Sequence, residues 1–397
     1  MDHTPAEIAA VRILMVTGAI PHAAASSGSS VVMAGQLAAM AARHRVTLVT
    51  FPPASSAQQK ALADWRAAGV AVHSAGGLIP PSVVQIKRRI ERAVRNLRPR
   101  GPRLEPITGD ARTQAVIDRL IETDGFDVIQ AENIGVGHFR YPAFIPKVLT
   151  EQEVGRHGGD GADSWRTQQP SIWADFDRVQ VFTSQDAERF RSAAPSMASR
   201  VRVNPFGIDL PVAADPEQQD PNAVVFVGSF NHEPNVDAAA WLATDILPGV
   251  LARHVGVKLW LVGEDPPKTL TGLASPAITI TGRVADVTPF LQTAAVVVAP
   301  VRTGGGMRRK VLEAMALGKA IVTTRLGAEG LVGPSERLPL ILADTSGEFS
   351  NQVTRLLESP QTRQDLGARA RAYVAEHHSW TAHADRLDAI YGELGLS

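Results

Sequence analysis

Short apolar runs rich in Val, Ile and Leu alternate with segments of helical period along both halves of the chain. In the first half the runs fall at 11–17, 45–51, 70–74, 126–131, 147–151, 179–183 and 201–204. In the second they fall at 223–228, 257–262, 278–282, 295–301, 320–324 and 338–342. Runs this apolar leave no wet face, and a helix-length stretch separates most neighbours, so the rhythm predicts parallel sheets covered by helices. Between the halves, PFGIDLPVAADPEQQDPN is Pro-rich, polar and without helical period, which predicts a linker over 209–221. The expected fold is therefore α/β, with two doubly wound domains of similar size, 1–208 and 222–377. Ligand sites are expected at the carboxyl ends of their strands, facing each other across a cleft. The C-terminal stretch HHSWTAHADRLDAIYGEL places Trp380, Ala384, Leu387 and Tyr391 three or four apart, so one face of that helix must be buried. Periodicity alone does not say against which domain.

The run PVRTGGGMRRKVLEAMALGKAIVTT, 300–324, joins an apolar strand to a glycine-rich turn and a helix. Gly304, Gly305 and Gly306 lack side chains, so their backbone N–H groups can approach an anion closely. The first-turn amides and positive dipole end of the helix point at the same turn, where Arg302, Arg308, Arg309 and Lys310 add charge. Glu313 sits deeper on the helix, where a carboxylate can accept two hydrogen bonds from a vicinal diol such as a ribose. Diphosphate and ribose together point to a nucleotide. A solvated glycine turn with basic neighbours would explain the glycines, but not an isolated Glu within an Ala/Met/Leu helix.

A length of 397 residues suggests two to three domains. The 40 basic and 40 acidic residues cancel, so no global charge argues for nucleic acid, and three Tyr leave little for stacking on single strands. With no cysteine, disulfides, thiolate metal sites and cysteine nucleophiles are excluded, which fits a reducing cytoplasm. No apolar run reaches spanning length, and MDHTPAEIAAVRILMVTG reads as an acidic leader before a strand rather than a signal peptide.

Taken with these residues, the second half resembles the nucleotide-binding domain of the retaining GT-B glycosyltransferases. The family is group 1, glycogen synthase-like and mannosyltransferase-like, in the bacterial branch whose turn reads GGG. TGAIPHAAASSGSS, NPFGID, FVGSFNHEPN, LWLVGE, ITGRVADV, the 300–324 block and the terminal Trp-containing helix carry the likeness. It implies two Rossmann-like domains, a last helix (378–397) crossing back onto the first, and transfer of a sugar from a nucleotide-diphosphate sugar, UDP- or GDP-linked, to an acceptor hydroxyl. Retention of configuration, no metal and no separate cofactor are implied as well, and no Asp-x-Asp motif is convincingly placed for a metal.

Carried onto this chain, the resemblance assigns Glu313 to the ribose. The other glutamate of the family's Glu-x7-Glu pair is missing, because Gly305 stands there. Backbone amides of Gly305, Gly306 and Met307 are left to hold sugar or phosphate. The loop after the first strand of this domain has Ser229, Asn231 and His232, with no Arg or Lys. The diphosphate role therefore passes to Arg302 and Lys310 as the catalytic cations, with Arg309 as a third. The base is expected near Gly282, Arg283 and Val284. In the first domain, Ser26, Ser27, Gly28 and Ser29 form a loop whose amides can meet a donor phosphate; a Ser/Gly loop with a Ser cap is the plainer reading. A GxGxxG fingerprint is lacking there. EQEVGRH puts Gln152 where relatives often have an imidazole, and Glu151, Glu153 and His157 are candidates for orienting the acceptor.

The stretch VVQIKRRIERAVRNLRPRGPR, 83–103, sets a run of Lys and Arg against the single Glu91. In relatives with lipid-linked or polysaccharide acceptors such a stretch docks on anionic membrane, giving a membrane-peripheral enzyme. The short apolar stripe slightly favours a solvated helix or a loop that binds an anionic small molecule. The acceptor, whether saccharide, lipid-linked glycan or small molecule, is not encoded legibly. Two other classes stay open: a GT-B nucleotide-sugar epimerase, for which no flanking carboxylate pair is evident, and a non-catalytic nucleotide-sugar-binding partner subunit.

Overall fold

The structure is a computed structural model that describes residues 10–23, 25, 28–74, 110–152, 154–155, 169–304, 308–331 and 337–396. The chain divides into two compact units, Met1–Phe206 with His383–Ser397, and Gly207–Ala382. Every apolar run named above forms a strand, with ends shifted by a few residues at most.

In the first unit β1 (Arg12–Thr17), β2 (Arg45–Thr50), β3 (Ala71–Ser74), β4 (Val128–Glu132), β5 (Lys147–Glu151), β6 (Arg178–Val181) and β7 (Val201–Val203) make a seven-stranded sheet. Its order is β3-β2-β1-β4-β5-β6-β7, with every neighbouring pair parallel. One face buries Leu14, Val16, Ile129 and Leu149 against Trp173, Phe176 and Phe190. The other buries Ile13, Met15, Leu48, Val128 and Val148. Helix Gly28–Ala41 covers that second face with Leu37 and Met40, and helix Trp380–Gly392 covers it with Leu387, Ile390 and Tyr391.

The C-terminal stripe thus supplies the first unit's core. Asp388 fixes it in place through Arg43 at 2.7 Å and His44 at 2.8 Å. Trp380, at the helix start, packs on Gly207 instead: a Cβ there would lie 2.5 Å from the indole.

In the second unit β8 (Ala223–Val227), β9 (Lys258–Val262), β10 (Ile278–Ile280), β11 (Val296–Ala299), β12 (Ile321–Thr323) and β13 (Ile341–Leu342) form a six-stranded sheet in the order β10-β9-β8-β11-β12-β13. All its pairs are parallel. The Pro-rich stretch 209–221 belongs to this unit, where Ala214 N–H donates to Leu317 C=O at 2.9 Å and Asp220 N–H to Thr293 C=O at 2.9 Å. Among the described residues no helix is long and apolar enough to cross a membrane.

Each sheet reverses its strand order once, between β1 and β4 and between β8 and β11. At such a crossover the helices that follow the two strands leave on opposite faces, opening a crevice at the carboxyl ends where ligands bind.

Candidate functional site

Beside the β8/β11 crossover the ends of β8 and β9 are drawn tightly together. A Cβ on Gly263 would lie 1.8 Å from the Gly228 carbonyl oxygen, so only glycine fits where β9 passes β8. Beyond β8, Ser229 Oγ donates to Glu264 at 3.3 Å, and Asn231 Nδ2 donates to Asp265 at 2.7 Å. Glu264 also faces the Arg283 guanidinium at 3.7 Å. Gly282, before it, has φ +67°. Ser229 and Arg283, beyond the ends of β8 and β10, therefore share Glu264, Asn231 pairs with Asp265, and Gly282 and Val284 flank Arg283 in sequence.

Beyond β11, Arg302 is docked on helix Glu233–Trp241. Its Nε and Nη2 donate to the two Asp237 oxygens at 3.1 and 2.5 Å, and its guanidinium carbon lies 4.7 Å from the centre of the Trp241 ring. Gly304 turns the chain with φ +87°, against Pro234. Gly305, Gly306 and Met307 lie outside the described residues. Among the described residues no side chain caps the helix Arg309–Ala316 that begins next, and its positive dipole end lies at this turn.

Val311, Leu312 and Met315 bury one face of this helix, which leaves Arg309, Lys310 and Glu313 together on the other. Arg309 Nη2 lies 2.8 Å from one Glu313 oxygen and Lys310 Nζ 2.8 Å from the second. A carboxylate offers about four lone pairs, so the clamp orients Glu313 and still leaves acceptor capacity on both oxygens. Lys310 also helps hold the nearby Asp286 carboxyl below its usual range, chiefly the effect of hydrogen bonds from Thr288. Among the described residues no group of three or more His, Asp or Glu is arranged to hold a metal ion.

In the first unit, Gly28 opens the helix after β1, and its neighbour Ser29 donates from Oγ to Gln152 Oε1 at 2.6 Å. The structure thereby brings Gly28 and Gln152 to one place. Glu151 differs from expectation. It is the last residue of β5, 1% exposed, and accepts from Trp173 Nε1 at 3.3 Å, because strand alternation turns it into the aromatic core instead of the loop. Ser26, Ser27, Glu153, His157 and the basic stretch 83–103 lie outside the described residues.

Reading the sequence missed Asp237 and Trp241, whose i, i+4 spacing on a helix puts a carboxylate and an aromatic face side by side to receive one guanidinium. It also missed Glu132, the buried last residue of β4.

Residues 221–359 match the family model of glycosyl transferases group 1, a span inside the second unit. A search of curated proteins finds no match. Among solved structures, the chain is similar to sucrose-phosphate synthase from Thermosynechococcus elongatus: TM-score 0.67, 17% identity, covering 96% of this chain and 99% of that one. It is similar to Anabaena HepE in complex with UDP and glucose: TM-score 0.62, 15% identity, 96% and 99% covered. It is also similar to TarM: TM-score 0.69, 10% identity, 97% and 99% covered. At these identities the likeness is one of fold. The two parallel-sheet, Rossmann-like units make this a GT-B fold, and its second unit carries the group 1 glycosyltransferase signature.

Proposed function

We propose that the protein is a cytoplasmic, retaining glycosyltransferase that moves a sugar from a nucleotide-diphosphate sugar to an acceptor hydroxyl without a metal ion. One observation carries the reading: at the β8/β11 crossover a helix start that no side chain caps among the described residues stands with two cations and the carboxylate they orient. Glu313 accepts from the ribose hydroxyls. Lys310, Arg309 and the first-turn amides hold the diphosphate. Arg302 joins them by exchanging Asp237 for a phosphate oxygen. Base contacts fall to the backbone of Gly282, Arg283 and Val284. HepE, a fold relative, has been solved with UDP and glucose, which favours a uridine donor over a guanosine one.

The chemical need is to stabilise charge as the bond from the anomeric carbon to the diphosphate breaks. Fixed cations and amide dipoles do this without reorganising, and removal of one such contact costs about 2.7–4 kcal/mol in comparable oxyanion sites. Retention follows from attack on the face that the diphosphate leaves, with the departing phosphate taking the acceptor's proton; an inverted anomer by NMR would exclude it. The acceptor is a hydroxyl-bearing saccharide, lipid-linked glycan or small molecule.

The test is nucleotide release. The protein and Lys310→Ala are incubated with UDP-, GDP- and dTDP-sugars, and free diphosphate is quantified by mass spectrometry. Release from one donor, lost in the variant, is expected. Nucleotide binding without release from any donor, with or without added acceptors, would favour a binding subunit instead.

A further inference from the structure

The other crossover, between β1 and β4, carries a row of buried oxygens that the donor site does not use. On β1, β2, β4 and β5 the apolar residues Ile13, Met15, Leu48, Val128 and Val148 point to one face, and alternation puts Thr17, Thr50, Glu132 and Thr150 on that same face. Thr17 is in register with Thr50 on one side and with Glu132 on the other, and Glu132 is in register with Thr150. The four therefore stand side by side at the carboxyl edge, about 4.8 Å from strand to strand.

All four are 0–1% exposed. Glu132 Oε1 is committed, accepting from Thr150 Oγ1 at 2.8 Å and from Gln130 Nε2 at 3.0 Å. Gln130 is fixed in turn, its Oε1 accepting from the Tyr391 hydroxyl at 3.0 Å. Glu132 Oε2, Thr17 Oγ1 and Thr50 Oγ1 have no hydrogen-bond partner among the described residues. Neither has the side-chain amide of Gln36, one residue before Leu37 on the helix that covers this face. Asn133, next after Glu132, takes a left-handed φ of 78°, a sparsely populated conformation for a non-glycine residue and one that recurs at functional sites.

Buried oxygens forgo hydration and are nearly always matched, so three adjacent unmatched ones define a place for a polar group. The set selects its chemistry. Two threonine hydroxyls both donate and accept, and a carboxylate accepts when charged and donates from its protonated form. A group that itself does both is matched in either state.

We propose that the β1/β4 crossover is a hydroxyl-binding site, in which Glu132, Thr17 and Thr50 hold one O–H group supplied by a resident water or by a sugar hydroxyl of the acceptor. The second source rests on the transferase reading above; the first does not.

Wild-type crystals, unliganded and soaked in glucose, test this directly. The expected result is an oxygen within hydrogen-bond distance, roughly 3.2 Å or less, of both Glu132 Oε2 and Thr17 Oγ1. A water that stays through the soak assigns a resident solvent site, and a glucose hydroxyl in its place assigns an acceptor site. Side chains that close on one another with no third oxygen overturn the proposal. Kinetics separates the sources again, using UDP-glucose as donor, glucose as acceptor, and Glu132→Gln and Thr17→Val as variants. An acceptor site predicts at least a tenfold fall in kcat/KM for glucose, with UDP affinity by calorimetry unchanged within twofold. Wild-type kinetics in both variants assign the row to water. A wild type that binds none of UDP, GDP and dTDP removes the transferase reading and leaves the crystallographic answer standing.

Discussion

At the crossover of the second sheet the side chains are charged, partly exposed and already paired with each other, whereas at that of the first they are buried and several of their oxygens have no partner among the described residues. Strand order is equivalent in the two, β2-β1-β4-β5 and β9-β8-β11-β12, so topology alone would make them equivalent crevices. Burial makes the difference. Arg302 and Asp237 keep 43% and 30% of their side-chain surface exposed, so their pairing is cheap to exchange for a phosphate. Glu132 has no exposed surface, and whatever meets its free oxygen replaces nothing but must fit. One sheet end thus suits an anionic ligand that exchanges partners, the other a neutral group held in place.

The largest expected effect lies at the charged crossover. Lys310→Ala should slow nucleotide release by a factor corresponding to about 2.7–4 kcal/mol, on the scale of one lost oxyanion contact. A fall of less than threefold, with donor affinity unchanged, would place the diphosphate elsewhere and erase the contrast drawn above.

Next in size is a pH effect on stability from the buried crossover. Burial lifts the Glu132 carboxyl to about 7, against the lowering by the hydrogen bonds from Thr150 and Gln130. The folded state therefore holds a proton that the unfolded chain releases near 4.5. Stability from this group is full below pH 4.5 and is lost as pH rises through about 7, by roughly 3 kcal/mol at 1.36 kcal/mol per pKa unit. His383, whose Nδ1–H donates to the Pro205 carbonyl at 3.0 Å, is pushed down to about 4 by burial and gives the opposite slope over pH 4 to 6.5. Urea unfolding of Glu132→Gln against wild type, as a difference at each pH, isolates the carboxyl. Parallel curves would mean that Glu132 does not carry its proton into the neutral range.

A smaller effect is expected at Tyr391, the one titratable side chain that the C-terminal helix hydrogen-bonds to Gln130, and whose own hydroxyl burial pushes well above its ordinary range. Tyr391→Phe leaves Gln130 Oε1 without its donor and should cost about 1–3 kcal/mol, the penalty of an unsatisfied buried acceptor. If Gln130 positions Glu132, the variant also moves the Glu132 contribution along the pH axis; a uniform loss at every pH would make Tyr391 a packing residue alone.

How much of this was legible in the sequence differs between the crossovers in the same way. The strands could be read because both faces are covered, leaving continuous apolar runs. The turn at 304 and the cluster of Arg309, Lys310 and Glu313 could be read because helical spacing brings neighbours in sequence together. The partners of Arg302 could not: Asp237 is 65 positions away, and only the fold sets it opposite. Thr17, Thr50 and Glu132 were harder still. Each looks like an ordinary polar strand end until register aligns them, and a single sequence does not state register. Glu151 was expected to contact the acceptor although the run 147–151 already ends on it; alternation with Leu149, which packs in the aromatic core, is what turns its carboxylate inward.

The smallest expected effect is the sharpest test of the contrast. If the charged crossover works by exchange, Asp237 competes with the ligand for Arg302. Asp237→Asn removes the competitor's charge, keeps the side chain's shape and leaves the guanidinium its seat on Trp241. An exposed pair contributes about 0–1 kcal/mol, so the stability loss should stay within that range by urea denaturation. The freed Arg302 should then raise UDP affinity by up to about fivefold, the same energy returned to binding. Weaker UDP binding in this variant, at unchanged stability, would instead make Asp237 a positioning group that aims Arg302 at the phosphate. The two crossovers would then share one design, a carboxylate that fixes its neighbour before the ligand arrives.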